Sequence, residues 1–423
     1  MIQSTLRQLA KLKYEYVLFG LAIVWVLFFS YVLQLKAGFS KVGDDGSYLH
    51  AAQLLYTNYK IDNTRPFFIS MVYGLPYLFG YSSTSVIQWG IVLNFCCWFL
   101  TDLFLFRIVS QILGRKKAFL LSLLFLFCIG YLADAFHFLP ECIFIALLVL
   151  AVYYLHRYYT TEKHFYITLA IAILLLNTLV KPVSFGLAVL TIVFFIPKWK
   201  SLIYTKSFGF LLVVLALLFV QMYSLKKKYG DFTLSYIGSI TYYNYLGAKA
   251  DCYKKGIPYE PGKNERTYAF TRLTNHEMKL RATADFKDQL QHNTFNLFKA
   301  YLYCMYSNSS KGSFIVSECS NEKNTSYFST FQFIFKALSK IQNIVFTGIS
   351  LLLVGFHLMK SRNKQPFYFI VSAFILYLFL ISALSCYQCD RFHIVFYPLL
   401  FILLTSIQEF DSINKIIKKS IIS

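Results

Sequence analysis

Apolar runs of eighteen or more residues recur along almost the whole chain, and that feature limits what it can fold into. Inside hydrocarbon, a helix satisfies every backbone donor and acceptor within one segment, so runs of this length read as spanning helices. The 423 residues are 57% hydrophobic and 14% charged, whereas soluble domains carry about 25% charged residues. The same numbers exclude disorder and a small disulfide scaffold. The short alternating segments of a membrane barrel do not occur. The expected fold class is an all-α polytopic membrane protein.

Ten spans are expected, at about 14–35, 84–106, 118–132, 140–158, 165–180, 182–197, 207–225, 341–359, 366–385 and 393–408. With that count, every basic cluster falls on one side: Arg7, Lys11 and Lys13; Arg115, Lys116 and Lys117; Arg157 and Lys163; Lys198, Lys200 and Lys206; Lys360, Arg362 and Lys364; Lys415, Lys418 and Lys419. That side is expected to be cytoplasmic, with both termini inside. The first run continues to Leu35 without a small-residue cleavage site, so it reads as an uncleaved span. Lysine plus arginine number 41 against 20 acidic residues. In a soluble chain this would suggest nucleic acid, but here topology accounts for much of it and no nucleic-acid partner is expected.

Three regions follow: an N-terminal transmembrane module over 1–225, an extracytoplasmic loop over 226–340, and C-terminal transmembrane helices over 341–423. In the first outer loop, about 36–83, the semi-apolar stretch from Phe67 to Gly80 is broken by Pro76 and reads as interfacial or re-entrant. From Asn264 to Asn308 the pattern is helical, with Phe286, Leu290, Phe295, Phe298, Tyr301 and Leu302 on one side, suiting helices along the membrane surface. Residues 226–340 hold seventeen basic residues against nine acidic ones. Such a surface faces anionic lipid or forms a vestibule for a phosphorylated substrate.

Cys96, Cys97, Cys128 and Cys142 fall in spans as core residues. Cys252, Cys304, Cys319, Cys386 and Cys389 fall outside, where disulfides can form. The Cys386-Tyr-Gln-Cys389 spacing has no second pair and is a weak metal signal. Asn308-Ser-Ser and Asn324-Thr-Ser are glycosylation sequons on the outer side, meaningful only in a eukaryotic host.

Five short segments could carry chemistry. Asp44 and Asp45 lie in Gly43-Asp-Asp-Gly-Ser-Tyr48 just after the first span. Near a bilayer, one could act as general base on an acceptor hydroxyl while the other orients it or binds a metal. The plainer reading is a helix N-cap. Arg65-Pro66 offers a fork of donors suited to phosphate oxygens, or a snorkelling cation. Asp134-Ala-Phe-His137-Phe-Leu-Pro140-Glu141 puts an ionisable residue in the first turn of a span. Lys181-Pro182 sits in an outer turn, and Asp390-Arg391-Phe392-His393 at the mouth of the last span. Each is weak alone, but all five fall at the same membrane face.

In these motifs the sequence resembles the GT-C superfamily of integral-membrane glycosyltransferases, in the bacterial branch of protein mannosyltransferases and lipid A aminoarabinose transferases. The resemblance rests on Asp44-Asp45-Gly-Ser-Tyr48, Arg65-Pro66-Phe-Phe, Pro140-Glu141, Lys181-Pro182, Asp390-Arg391-Phe392 before Pro398, and the stretch from Asn293 to Ser310. Phe67 stands where a second proline is common and Lys181 where arginine is common, and the large soluble domain that some members carry after the last span is not expected here. The resemblance implies inverting transfer of a sugar from a polyprenyl-phosphate donor to a lipid, glycan or protein acceptor on the extracytoplasmic face. Asp44, or alternatively Asp45, would be the base; Arg65, Arg391 and Lys181 would hold the donor phosphate. Tyr48, His137, Glu141 and His393 would position acceptor or substrate. Divalent metal is neither required nor excluded, and a bacterial inner membrane is the expected location. Competing readings are a lipid-linked glycan polymerase or ligase built on His276 and His292, a flippase, and a scaffold for anionic lipid.

Overall fold

The computed structural model describes residues 2–35, 44–261, 263–360 and 365–407, with the side chains of 2–12, Glu265 and Lys360 left aside. Gly43, Arg362, Lys364, Lys415, Lys418 and Lys419, and the side chains of Arg7, Lys11 and Lys360, therefore lie outside the description. Among the described residues there are helices and no strand. The first spanning helix, α1 (Ile2–Leu33), leads into a helical loop of α2 (Asp45–Asn58) and α3 (Phe67–Gly74), which pack together. The N-terminal bundle continues through α4 (Ser83–Leu113), α5 (Arg115–Leu126), α6 (Ile129–Ala135), α7 (Glu141–Thr161), α8 (Phe165–Thr178) and α9 (Ser184–Phe195). After the short α10 (Trp199–Ile203), α11 (Phe208–Tyr229) ends that half.

The intervening region carries α12 (Ile237–Thr241), α13 (Ala248–Lys255), α14 (Glu265–Thr271), α15 (Asn275–His292), α16 (Thr294–Ser310) and α17 (Phe314–Glu318). It is the region the sequence marks as an outer loop. A capping box, Thr274 with Glu277, satisfies the orphan donors that start α15. The chain returns through α18 (Phe328–Lys360) and α19 (Pro366–Ser382). Two 3₁₀ turns, Cys389–Phe392 and Ile394–Phe396, open the final helix, described to residue 407.

Among the described residues, seven helices are long and apolar enough to cross a membrane. An eighth span is added if α5 and α6, bent by 65° at their break, count as one. Eight of the ten expected spans are accounted for in this way, and the other two fall on shorter apolar helices. α8 and α19 are apolar but have only 14 and 17 residues. At about 1.5 Å per residue α8 is about 21 Å long, short of the ~30 Å hydrocarbon core, while α19 is at the lower end of the spanning range. The expected third span breaks at Phe127–Cys128, where Gln342 of α18 accepts from Ile129 N and donates to the Phe127 carbonyl. α18 also starts thirteen residues before the expected eighth span.

α7 is central, packed against α4, α6, α8 and α19. Gly114, at φ +80°, allows the reversal between α4 and α5 that a side chain would strain. Gly130 has a different reason: a Cβ there would lie 2.1 Å from Asp390 Oδ2, so α6 and the last span meet backbone to carboxyl. Cys304 and Cys386 form a disulfide linking α16 to the segment before the last span, so Cys386 is not available to pair with Cys389. Asn308 is wholly buried, donating to the carbonyls of Ser382 and Ser385, which removes it as a glycan acceptor.

Candidate active site

The site begins in the loop before α3. Asp62 Oδ1 accepts from Thr64 N and Arg65 N, both at 2.7 Å, fixing the turn that presents Arg65 ahead of Pro66. Gln221 of α11 accepts from Phe67 N and donates to the Leu234 carbonyl, and Ser235 donates to the Thr64 carbonyl. The loop is therefore held from two sides. Arg65 is 8% exposed, so it is not a snorkelling cation. Its Nε donates to Ser47 Oγ at 2.8 Å and its NH1 to the Tyr48 hydroxyl at 3.2 Å, with the guanidinium 4.3 Å from the Tyr48 ring centre.

Asp44 stands at the N-cap of α2, but its carboxylate makes no capping bond. It is ion-paired instead: Oδ1 with Arg65 NH2 at 2.8 Å, and Oδ2 with Arg391 NH1 at 3.2 Å. Arg391 continues the chain, its Nε donating to Glu141 Oε1 at 2.5 Å, and Lys181 Nζ reaches the same oxygen at 2.9 Å. Lys181 also lies 5.7 Å and 5.4 Å from the ring centres of Phe144 and Phe392. Three cations and two carboxylates thus alternate in one line: Arg65, Asp44, Arg391, Glu141, Lys181. Five separate sequence segments meet there.

Burial works against the charge on Asp44, but Arg391 and Arg65 outweigh it and hold the carboxyl below its ordinary value. Burial lowers the Lys181 ammonium, with Glu141 opposing the shift. Burial pushes the Tyr48 phenol up to about 12, so it stays a neutral donor at physiological pH. Asp44 is also the open carboxylate: its side chain is 44% exposed, while Asp45 is 1% exposed in the first turn of α2.

His137 lies on the turn before α7, 7% exposed; burial and the Arg391 charge bring it down to about 4. Its turn is held by Asn94 of α4, which donates to the carbonyls of His137 and Leu139, and by the Tyr73 hydroxyl on Leu139. Sequence reasoning missed Asn94 and Tyr73. A polar residue inside an apolar span was the available signal for Asn94. His393 is placed apart from the ion-pair line, wholly buried between Thr347 Oγ1 at 2.9 Å and Ser382 Oγ at 3.3 Å. His276 and His292 do not gather with arginine; they pair with Asp231 and Asp288, each at 2.9 Å. No group of three or more His, Cys, Asp or Glu able to hold a metal ion occurs among the described residues.

Beside the line opens a cavity of about 340 Å³. Its body is apolar, with Phe144, Val183, Leu234, Leu378, Ile381 and Val395 among its walls, and Arg65, Lys181 and Tyr48 also line it. The arrangement can take an amphiphile: an anionic head against the cations and a hydrocarbon tail along the apolar walls.

Two solved structures are similar to this chain in outline. Both are ArnT from Cupriavidus metallidurans. With the structure bound to undecaprenyl phosphate, the identity is 11% over 93% of this chain and 77% of that one, at a TM-score of 0.43. With the apo structure, it is 12% over 91% and 76%, at a TM-score of 0.39. No protein-family model and no curated protein matches the sequence.

Proposed function

We propose that this chain is a membrane glycosyltransferase that moves a sugar from a polyprenyl-phosphate-linked donor to a lipid, glycan or protein acceptor at the outer membrane face. The observation that carries the reading is the apolar cavity with Arg65 and Lys181 in its wall, immediately beside the open carboxylate Asp44. The GT-C-like motifs point the same way. In the reaction, an acceptor hydroxyl attacks the anomeric carbon from the face opposite the leaving phosphate. The carbon–oxygen bond to phosphate breaks, polyprenyl phosphate departs with the electron pair, and the hydroxyl proton passes to a carboxylate. Inversion follows from that geometry.

Each residue has a part in that step. Arg65 and Arg391 suit phosphate oxygens because each guanidinium presents parallel donors, and Lys181 adds a point charge. Their charge would stabilise the negative charge growing on the leaving group. A phosphate arriving between the arginines competes with Asp44 for the same donors. Asp44, released, is then the base for the acceptor hydroxyl. Glu141 keeps Arg391 and Lys181 aimed, and Tyr48 backs the Arg65 plane.

Deletion of the gene, followed by mass spectrometry of extractable glycolipids and surface glycans, tests the reading. Loss of one sugar unit, restored by wild type and not by Arg65→Ala, is expected. Unchanged glycans in the deletion strain would refute it.

A further inference from the structure

Outside the ion-pair line, the structure holds a second cationic group with a different character. Lys249, in α13, is 4% exposed, and four tyrosine rings surround its ammonium. The Nζ lies 3.7 Å from the ring centre of Tyr303, 5.1 Å from Tyr253 and Tyr259, and 5.5 Å from Tyr387. Two exposed lysines stand at the rim: Lys311 is 4.5 Å from the Tyr387 ring and Lys299 is 4.7 Å from that of Tyr253. Among the described residues no carboxylate forms an ion pair with any of the three. A nearly buried ammonium without a counter-anion is costly. Cation–π contact offsets part of that cost.

The box is also rigidly made. Tyr303 and Tyr387 each adjoin a cysteine of the Cys304–Cys386 disulfide, and their hydroxyls meet at 3.3 Å. Tyr387 and Cys389 hold left-handed backbone angles, φ +63° and +54°, that side-chain-bearing residues seldom adopt. Asn308 Oδ1 accepts from Gln388 N between them. Strain fixed by a cross-link and a buried asparagine is a mark of a site that must keep its shape. The same short segment runs on to Arg391. The rings are half-buried, each leaving part of its surface open.

We infer that the tyrosine box around Lys249 is the acceptor subsite, and that it takes a sugar bearing an anionic group, a phosphate or a carboxylate. The tyrosines supply flat, amphipathic faces for a sugar ring and the lysines supply the missing counter-charge for its anion. The assignment to the acceptor rests on the transferase reading; binding of an anionic sugar does not.

The test is equilibrium binding to the full chain, purified into nanodiscs of neutral phosphatidylcholine without any donor. The probes are trigalacturonate, glucose 6-phosphate, maltotriose and inorganic phosphate. The two anionic sugars should bind at least about tenfold tighter than maltotriose or phosphate, the worth of one charge-assisted contact. Lys249→Met should lower that affinity about tenfold, and Lys249→Arg should restore most of it. Geranyl phosphate, a short probe for the donor cavity, should bind Lys249→Met as it binds wild type. If Lys249→Met does not fold, Lys311→Gln at the rim should still weaken both anionic sugars by about threefold. Equal binding of all four probes, or anionic-sugar affinity indifferent to these substitutions, overturns the inference. Anionic-sugar binding by a chain whose deletion leaves the glycans unchanged would refute the transferase and leave the box standing as a sugar site.

Discussion

Arg391 Nε meets Glu141 Oε1 at 2.5 Å, joining the first turn of α7 to the mouth of the last span across 250 positions of sequence. Glu141 has no exposure, so its charge is held by Arg391 and Lys181 alone among the described ion pairs. Removing one partner of a buried pair leaves the other uncompensated, at a cost of about 3–5 kcal/mol. Glu141→Gln keeps the shape and removes the charge, so it should lower thermal stability by about 3 kcal/mol. A melting curve in detergent that matches wild type would show that the pair holds nothing together.

The two adjacent aspartates should separate cleanly. Asp44 is open and flanked by arginines, and Asp45 is buried in the first turn of α2. Asp44→Asn should reduce kcat by about 10²- to 10⁴-fold, the usual worth of a general base. Asp45→Asn should act mainly on stability. Because the arginines hold Asp44 below the ordinary carboxylate value, it stays charged until the pH falls beneath about 4. The acid limb of kcat/KM should therefore lie below that pH, and a limb near 6 would point to another base.

Ile381 and Leu378 of α19 are among the apolar residues that line the cavity. Ile381→Trp should fill part of its roughly 340 Å³ and raise KM for the lipid-linked donor. With the ion-pair line untouched, kcat should change little. A fall in kcat at unchanged KM would place the donor tail elsewhere.

Asp231 ties the end of α11 to α15 through Lys279 at 2.8 Å and His276 at 2.9 Å, and also accepts from the Tyr236 hydroxyl, just before α12, at 2.9 Å. Burial alone would raise the carboxyl, but these three donors bring it down to about 2. A carboxyl depressed in the folded state stabilises above its unfolded value and loses that contribution as the pH falls through the folded one. The attachment of α15 should therefore loosen between about pH 4 and pH 2. Hydrogen exchange of α15 should show that loosening in wild type, while Asp231→Asn should remove the part of it that Asp231 carries and leave a smaller pH dependence from the Glu277 capping box.

The Cys304–Cys386 bridge closes a separation of 82 residues between α16 and the Arg391 segment. Cys304→Ser should destabilise the folded chain by about 2–4 kcal/mol, through the freedom regained by the unfolded loop. Intact-mass analysis with and without reductant should show the two-hydrogen gain that marks the bridge. Identical masses would remove it.

Much of the layout was legible because hydrophobic runs are local. The run before Leu35, and those now seen as α4, α7, α11 and α18, follow from periodicity and length. The break at Phe127–Cys128 did not show, because Gln342 of another helix satisfies the backbone freed there. The shortness of α8 and α19 did not show either, because hydropathy reports apolar character and not where a helix ends. The Lys249 box was not legible at all. Its four tyrosines and its disulfide come from four stretches of chain, and tyrosine is common throughout.

By itself the sequence determined that this chain is helical and lives in a membrane, since apolar length and scarce charge have no other stable outcome in water or lipid. It also named the charged residues of the site one by one. Only the tertiary structure decided that Arg65, Asp44, Arg391, Glu141 and Lys181 form one alternating line beside an apolar cavity, and that His393 stands apart. The reason is range: a hydrophobic pattern is written within one helix, while an ion pair depends on which helix ends the packing brings together.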